Sequence, residues 1–262
     1  MTSLVQRKFG DAAADYAASA VHAKGESLAR LIELVDPQPN WRVLDVATGA
    51  GHTALTFAPH VAKVTATDIT HAMLAETRKL AHARGLHNVR VGNARAEDLP
   101  YPDMSFDLVT CRLAAHHFRN VPAFAAEAFR VLMPGGRLGL VDNISPEKDG
   151  VSAAYNAFEK LRDPGHRHCL SLDAWKQVLD RAGFTVERKK TLDQDIEFGP
   201  WAARRRCDAP TEARLRDLLA NEPLRSLLRP RDRGGLSLRC GRRSSRHGSP
   251  CDTRYGERPA VS

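Results

Sequence analysis

Val43-Leu44-Asp45-Val46-Ala47-Thr48-Gly49-Ala50-Gly51-His52-Thr53-Ala54, followed by Val64-Thr65-Ala66-Thr67-Asp68, decides the fold of this chain. A short apolar run ends in an acid. A glycine-bearing bend follows, then a stretch of helical length, then a second apolar run that also ends in an acid. That is the order of a nucleotide-binding βαβ unit. Gly49 and Gly51 permit a sharp bend and a close ligand approach that a Cβ would obstruct. Asp68, at the tip of the second strand, is placed to accept hydrogen bonds from a ribose diol.

Two cofactors fit this stretch. Gly49-Ala50-Gly51-His52-Thr53-Ala54 satisfies the dinucleotide pattern G-x-G-x-x-G/A, with an acid about 20 residues on. Asp45 argues against a dinucleotide: a fixed negative charge directly before the loop opposes a pyrophosphate. The same charge favours a ligand with a positive centre and no phosphate, such as S-adenosylmethionine, which carries an ammonium and a sulfonium.

Outward from this unit, the pattern alternates strand and helix. Leu28, Leu31, Ile32 and Val35 recur at helical spacing over residues 26–35, and Pro37 ends that run. Strands are expected at 42–46, 63–67, 88–92, 106–111 and 137–141. Thr70 is the expected N-cap of a helix over 71–83, with Met73, Leu74, Thr77 and Leu80 inward and Gly85 at its end. Pro122 opens another helix, which runs to Met133. Five such alternations predict a Rossmann-like, doubly wound, mostly parallel α/β sheet with flanking helices. Beyond Gly150 the pattern becomes helices at 151–162, 172–182 (capped by Ser171) and 211–220, with a sixth strand over Phe184 to Leu192.

Further motifs carry a resemblance. Leu44 to Gly51, Ala96-Glu97-Asp98-Leu99-Pro100-Tyr101, Ser105 to Arg112, Ala115-His116-His117-Phe118 and Arg130-Val131-Leu132-Met133-Pro134-Gly135-Gly136-Arg137 stand in order. Together they resemble the class I S-adenosylmethionine-dependent methyltransferases, in the small-molecule branch with the ubiquinone/menaquinone-biosynthesis enzymes. The resemblance covers roughly residues 4 to 232. It implies methyl transfer from S-adenosylmethionine to a small-molecule acceptor, at carbon or oxygen. The alternatives are a nicotinamide-dependent oxidoreductase, or a cofactor-binding protein inactivated by an altered C-terminus.

The resemblance also distributes roles. Asp45, Ala47, Thr48, Gly49, Gly51 and Asp68 are expected to hold the donor, with Ile69 and Met73 flanking its adenine. The loop at Ala96 and Glu97 is expected at the adenine edge. Arg95 stands where relatives carry Asp or a small polar residue; a guanidinium has no acceptor for an adenine amino group, so Arg95 is expected to turn outward. Backbone at Arg112 is expected to hold the donor's ammonium. His116 and His117 follow the fourth strand, and His117 is the candidate general base; the competing reading is a hydrogen-bonded structural pair. Core packing competes equally for Ile69 and Met73. Cys111 reads as a small buried residue rather than a nucleophile. His166, His168 and Cys169 match no zinc spacing, and no metal is expected.

The implied organisation is a methyltransferase domain over residues 1–228: an N-terminal helical lid (1–36, with Tyr16, His22 and Lys24), a cofactor-binding core (37–145), then helices and the sixth strand (146–228). Residues 229–262 read as a basic, disordered tail, with nine arginines against three acids. Most of the net charge of +8 belongs to that tail, so no nucleic-acid partner is expected. Relatives end in one more antiparallel strand between the fifth and sixth. Leu236-Ser237-Leu238 is the one apolar piece left for it, which a change of reading frame after about residue 232 would explain. Five cysteines without C-x-x-C pairs point to a reducing cytoplasm, and no stretch is long enough to span a bilayer. The expected partners are the acceptor and, among proteins, at most a second copy in a homodimer.

Overall fold

Strand order β3-β2-β1-β4-β5 organises the five-stranded parallel sheet of the chain, seen in a computed structural model that describes Gly10, Ala13 and residues 25–192, 194–228, 231–232 and 236–240. The strands are β1 (Arg42–Val46), β2 (Lys63–Asp68), β3 (Val89–Asn93), β4 (Phe106–Arg112) and β5 (Leu132–Val141). Helices α1 (Glu26–Val35), α2 (His52–Phe57), α3 (His71–Ala83) and α4 (Val121–Val131) alternate with them. The reversal of strand order falls between β1 and β4, where open α/β sheets place ligands beyond their carboxyl ends.

The central strands are apolar because both of their faces are covered. Leu44, Val64, Ala66, Leu108 and Val109 are fully buried, and each large aliphatic side chain removed from water contributes about 1.5–3 kcal/mol. Leu31 and Val35 of α1 join a cluster with Val43, Phe57, Val64 and Leu108. Gly139 permits that approach, since a Cβ there would meet Leu31 Cδ1 at 3.0 Å and Val35 Cγ2 at 3.1 Å. Asn120 caps α4 by accepting from the Ala123 N–H.

The chain divides into two compact units. The first holds the described residues up to Asn143 together with Trp175–Arg188; the second holds Ile144–Ala174 and the described residues from Lys189 to Cys240. The remaining helices are α5 (Asp149–Arg162), α6 (Leu172–Ala182), α7 (Phe198–Ala203), α8 (Ala209–Ala220) and α9 (Leu224–Leu228). In the second unit Tyr155, Phe158, Phe198, Trp201, Leu215, Leu219, Leu224 and Leu228 form one core. Its three-stranded sheet, β6 (Gln194–Glu197), β8 (Leu236–Cys240) and β7 (Arg231–Asp232), is antiparallel.

Several expectations change. Residues 184–192 form no strand. Phe184 instead docks edge-on against Phe129, with ring centroids 5.1 Å apart, and the Arg188 side chain donates to Leu34 O. Alternating apolar residues become a strand only where a neighbour supplies ladder partners, and among the described residues nothing pairs beyond β5. β7 and β8 lie within the stretch expected as a tail; residues 229–230, 233–235 and 241–262 fall outside the described residues. Thr70 is the N-cap of α3 as expected, though its hydroxyl makes no cap bond; the Thr70 N–H donates to Asp68 Oδ1 at 2.8 Å. Ala81, rather than Leu80, completes the buried face of α3. Among the described residues no helix is long and apolar enough to cross a membrane.

Candidate functional site

The carboxyl ends of the five strands, or the residues just past them, carry a set of polar side chains. β1 ends near Asp45, β2 at Asp68, β3 at Asn93 and β4 at Arg112, and Asp142 follows β5 directly. Parallel register brings these positions to one edge: Asp45 lies opposite Thr110 of β4, and Asp68 opposite Asn93 of β3.

Asp45 is 1% exposed. Its Oδ2 accepts from Thr48 Oγ1 at 2.5 Å and from the Ala54 N–H at 3.2 Å, and its Oδ1 accepts from Thr110 Oγ1 at 2.7 Å. Burial raises its pKa to about 6, against the lowering effect of those bonds and of the Arg112 charge. Both carboxylate oxygens of Asp45 are thus bonded within the protein. The carboxylate ties β1, the bend and the start of α2 to β4.

Asp68 lies above the same bend. Its Oδ2 accepts from the Gly49 N–H at 3.0 Å while Oδ1 holds the Thr70 N–H. Burial raises its pKa against these backbone bonds. The bend between the two acids is left-handed at Ala47 (φ 54°), Gly49 (φ 55°) and Gly51 (φ 87°). A Cβ at Gly49 would meet nothing within 4 Å, which leaves room at the loop surface. A Cβ at Gly51 would fall 2.6 Å from Thr77 Cγ2. Thr77 also donates to Gly49 O at 3.0 Å, so α3 clamps the bend from beneath.

The other expected residues are placed as follows. Thr48 extends the β1–β2 pairing through its N–H to Thr67 O. Ile69 is half-buried just past β2. Met73 is 1% exposed and packs with Ala50 and Ala13. Ala96 is buried, and Glu97 is committed to protein groups: Oε1 accepts from the Arg119 N–H at 2.8 Å, and Oε2 lies 3.4 Å from Arg95 Nη2. Arg95 turns outward. Arg112 donates through Nε to Thr53 Oγ1 and through Nη1 to Ser27 Oγ. Cys111 is fully buried, and burial pushes its thiol pKa well up, away from nucleophilic use.

His117 occupies a short turn, Ala115–His117, after β4. It is His116, however, that meets an acid. His116 Nδ1 lies 2.5 Å from Asp142 Oδ1, and the His116 N–H donates to Asp142 Oδ2 at 2.8 Å. The two histidine rings lie 4.2 Å apart. Sequence reasoning missed Asp142, although Leu138-Gly139-Leu140-Val141-Asp142 repeats the apolar-run-then-acid pattern of β1 and β2. Thr110 was missed as well, because its role exists only through register.

Comparisons with known proteins agree with this architecture. A family model described as a methyltransferase domain matches residues 44–140. The uncharacterized methyltransferase YcgJ of Bacillus subtilis is 36% identical over 195 residues, 74% of this chain and 77% of that protein. A demethylmenaquinone methyltransferase of Thermus thermophilus is 37% identical over 131 residues, 49% of this chain and 59% of that protein. The crystal structure of a candidate methyltransferase from Bacillus halodurans superposes with a TM-score of 0.78 at 36% identity, covering 81% of this chain and 94% of that one.

Proposed function

This chain belongs to the methyltransferase domain family, and we propose that its donor is S-adenosylmethionine and its acceptor a small molecule, methylated at carbon or oxygen. The observation that carries this reading is the Gly49–Asp68 hydrogen bond, which holds an open bend at the tips of β1 and β2. The residues there suit an adenosyl ligand: room above Gly49, and a carboxylate at the tip of β2 for a ribose diol.

S-adenosylmethionine supplies a methyl group already activated on a sulfonium. The protein's task is alignment, worth an effective molarity of about 10⁵–10⁸ M when geometry is well held. Asp45 performs that task indirectly, by fixing the loop through Thr48, Ala54 and Thr110. Asp68 and the amides of the bend are the proposed direct contacts, with backbone at Arg112 toward the donor's ammonium. Ala13 packs on Ala50 and Met73, which supports an N-terminal lid that excludes water during transfer.

The demethylmenaquinone methyltransferase among the relatives supports a small-molecule acceptor over nucleic acid. We place the chain in the reducing cytoplasm, where the buried thiol of Cys111 persists; a second copy is the one protein partner proposed. The test is thermal melting with S-adenosylhomocysteine or NAD. Stabilisation by S-adenosylhomocysteine alone supports the reading, and stabilisation by NAD alone overturns it.

A further inference from the structure

From the opposed charges of Asp45 and Arg112 we infer that the buried Asp45 carboxylate selects the cationic methyl donor over its neutral product, and so ties product release to the charge state of this one acid. The inference deepens the proposed function and rests on its donor.

Donor and product differ in charge as well as in one methyl group. S-adenosylmethionine carries a sulfonium, an ammonium and a carboxylate, and is a net cation. S-adenosylhomocysteine has lost the sulfonium charge and is neutral overall. Contacts to the adenine, ribose and amino-acid portions are common to both and favour each alike. Discrimination falls to a group that feels the charge on sulfur or touches the methyl.

Asp45 is placed to feel that charge. It is 1% exposed and bonded into the bend itself, through Thr48 Oγ1 and the Ala54 N–H on one oxygen and Thr110 Oγ1 on the other. A charge so far from water is little screened and acts over a longer range than one at the surface. Arg112 carries the opposite charge. Its guanidinium donates to Thr53 Oγ1 at 3.1 Å and to Ser27 Oγ at 3.3 Å, which fixes a cation beside the start of α2. A cationic ligand at this edge is repelled by Arg112 unless a carboxylate offsets it. Asp45 is that carboxylate. Burial raises the Asp45 pKa to about 6, with the Arg112 charge among the effects that lower it. Burial lowers the Arg112 pKa, and the Asp45 charge raises it. With Asp45 ionised, the Arg112 charge is offset and a second cation is accommodated. With Asp45 protonated, that offset is gone and the donor loses its advantage over the product.

The other charged or titratable groups around Asp45 come from the elements packed against β1. Asp68 ends β2, His52 opens α2, and Cys111 precedes Arg112 on β4. Burial holds the Cys111 thiol protonated. Lys63 and Asp107 stand at the opposite end of the strands, beside Arg42.

The experiment titrates S-adenosylmethionine, without acceptor, and S-adenosylhomocysteine into full-length protein by calorimetry from about pH 5 to 7.5. Wild type is compared with Asp45→Asn, Arg112→Met and His52→Gln. The readout is the ratio of the two dissociation constants, in which the shared contacts cancel. Preference for the donor should grow in the wild type as pH rises through about 6. At pH 7.5, Asp45→Asn should lower that preference about tenfold, and Arg112→Met should raise it. His52→Gln should keep the pH trend. Near pH 6, donor binding to the wild type should release protons, seen as heat that varies with the ionisation enthalpy of the buffer, and product binding should release fewer. This reading needs no variant and still serves if Asp45→Asn fails to fold. An Asp45 that only held the loop would weaken both ligands together. An unchanged ratio in Asp45→Asn, a lower preference in Arg112→Met, a ratio independent of pH, a trend abolished by His52→Gln, or equal proton release for the two ligands would each overturn the inference. Failure of folded wild type to bind either ligand would instead overturn the donor reading.

Discussion

Thr110 donates its hydroxyl to Asp45 Oδ1 at 2.7 Å, joining neighbouring strands across 65 residues of sequence. This bond makes the bend part of the sheet. Asp45 also holds Thr48 and the Ala54 N–H, so the geometry of the loop is inherited from β4. Thr110→Val keeps the shape but removes the donor, leaving a buried carboxylate oxygen short of a partner. The expected cost is about 1–3 kcal/mol, read as a fall in the urea midpoint with an unchanged m-value.

The same carboxylate gives stability a pH dependence. The folded-state pKa of Asp45, about 6, stands above its ordinary value of 3.8. The folded protein therefore holds the proton more tightly than the unfolded chain. Its contribution is full below about pH 3.8 and is lost as pH rises through about 6, by up to about 3 kcal/mol. Asp68 is shifted in the same direction, so the measurement is a difference. Wild type minus Asp45→Asn, followed by urea unfolding from pH 4 to 7.5, should fall as pH rises. A flat difference contradicts the assignment.

Gly51 is held to glycine twice over, by φ 87° and by Thr77 Cγ2 at 2.6 Å from any added Cβ. Gly51→Ala should cost about 1–3 kcal/mol and weaken S-adenosylhomocysteine binding, because α3 must retreat from the bend. Gly49→Ala meets only the φ penalty, so its stability loss should be the smaller of the two. Differential scanning calorimetry of both variants gives the comparison.

Arg130 spans the loop after β3. It donates to Leu99 O, Tyr101 O and Glu127, while Glu127 accepts from the Leu99 N–H. The Glu127 carboxyl is held below its ordinary pKa chiefly by Arg130. Lysine keeps the charge but not the fork. Arg130→Lys should therefore loosen residues 99–101, seen as faster amide exchange at Leu99 and Tyr101 with the sheet amides unchanged.

How far these features can be seen in the sequence depends on how local they are. The runs over Val43–Val46 and Phe106–Cys111 announce buried parallel strands, and the Ser171-capped helix over 172–182 is found where spacing puts it. The bend at Gly49 and the strand-tip position of Asp68 are legible too, since the βαβ unit is itself a short-range pattern; their hydrogen bond is not. Non-local pairs are not. Asp45 shows no tie to Thr110 until β4 is laid beside it. His117 and His116 are equivalent as letters, and only the closeness of the β4 and β5 ends gives Asp142 to His116. Residues 184–192 show the opposite error: an alternating pattern with no neighbour among the described residues to complete it.

Calorimetric titration of S-adenosylhomocysteine into wild type and Asp68→Ala tests most directly whether the Asp68-held bend is a donor site. The account predicts one binding event per chain in the wild type, weakened at least about tenfold in the variant, the loss of one charge-assisted contact, with the fold retained. No heat in folded wild type, or equal affinity in the two proteins, would contradict it.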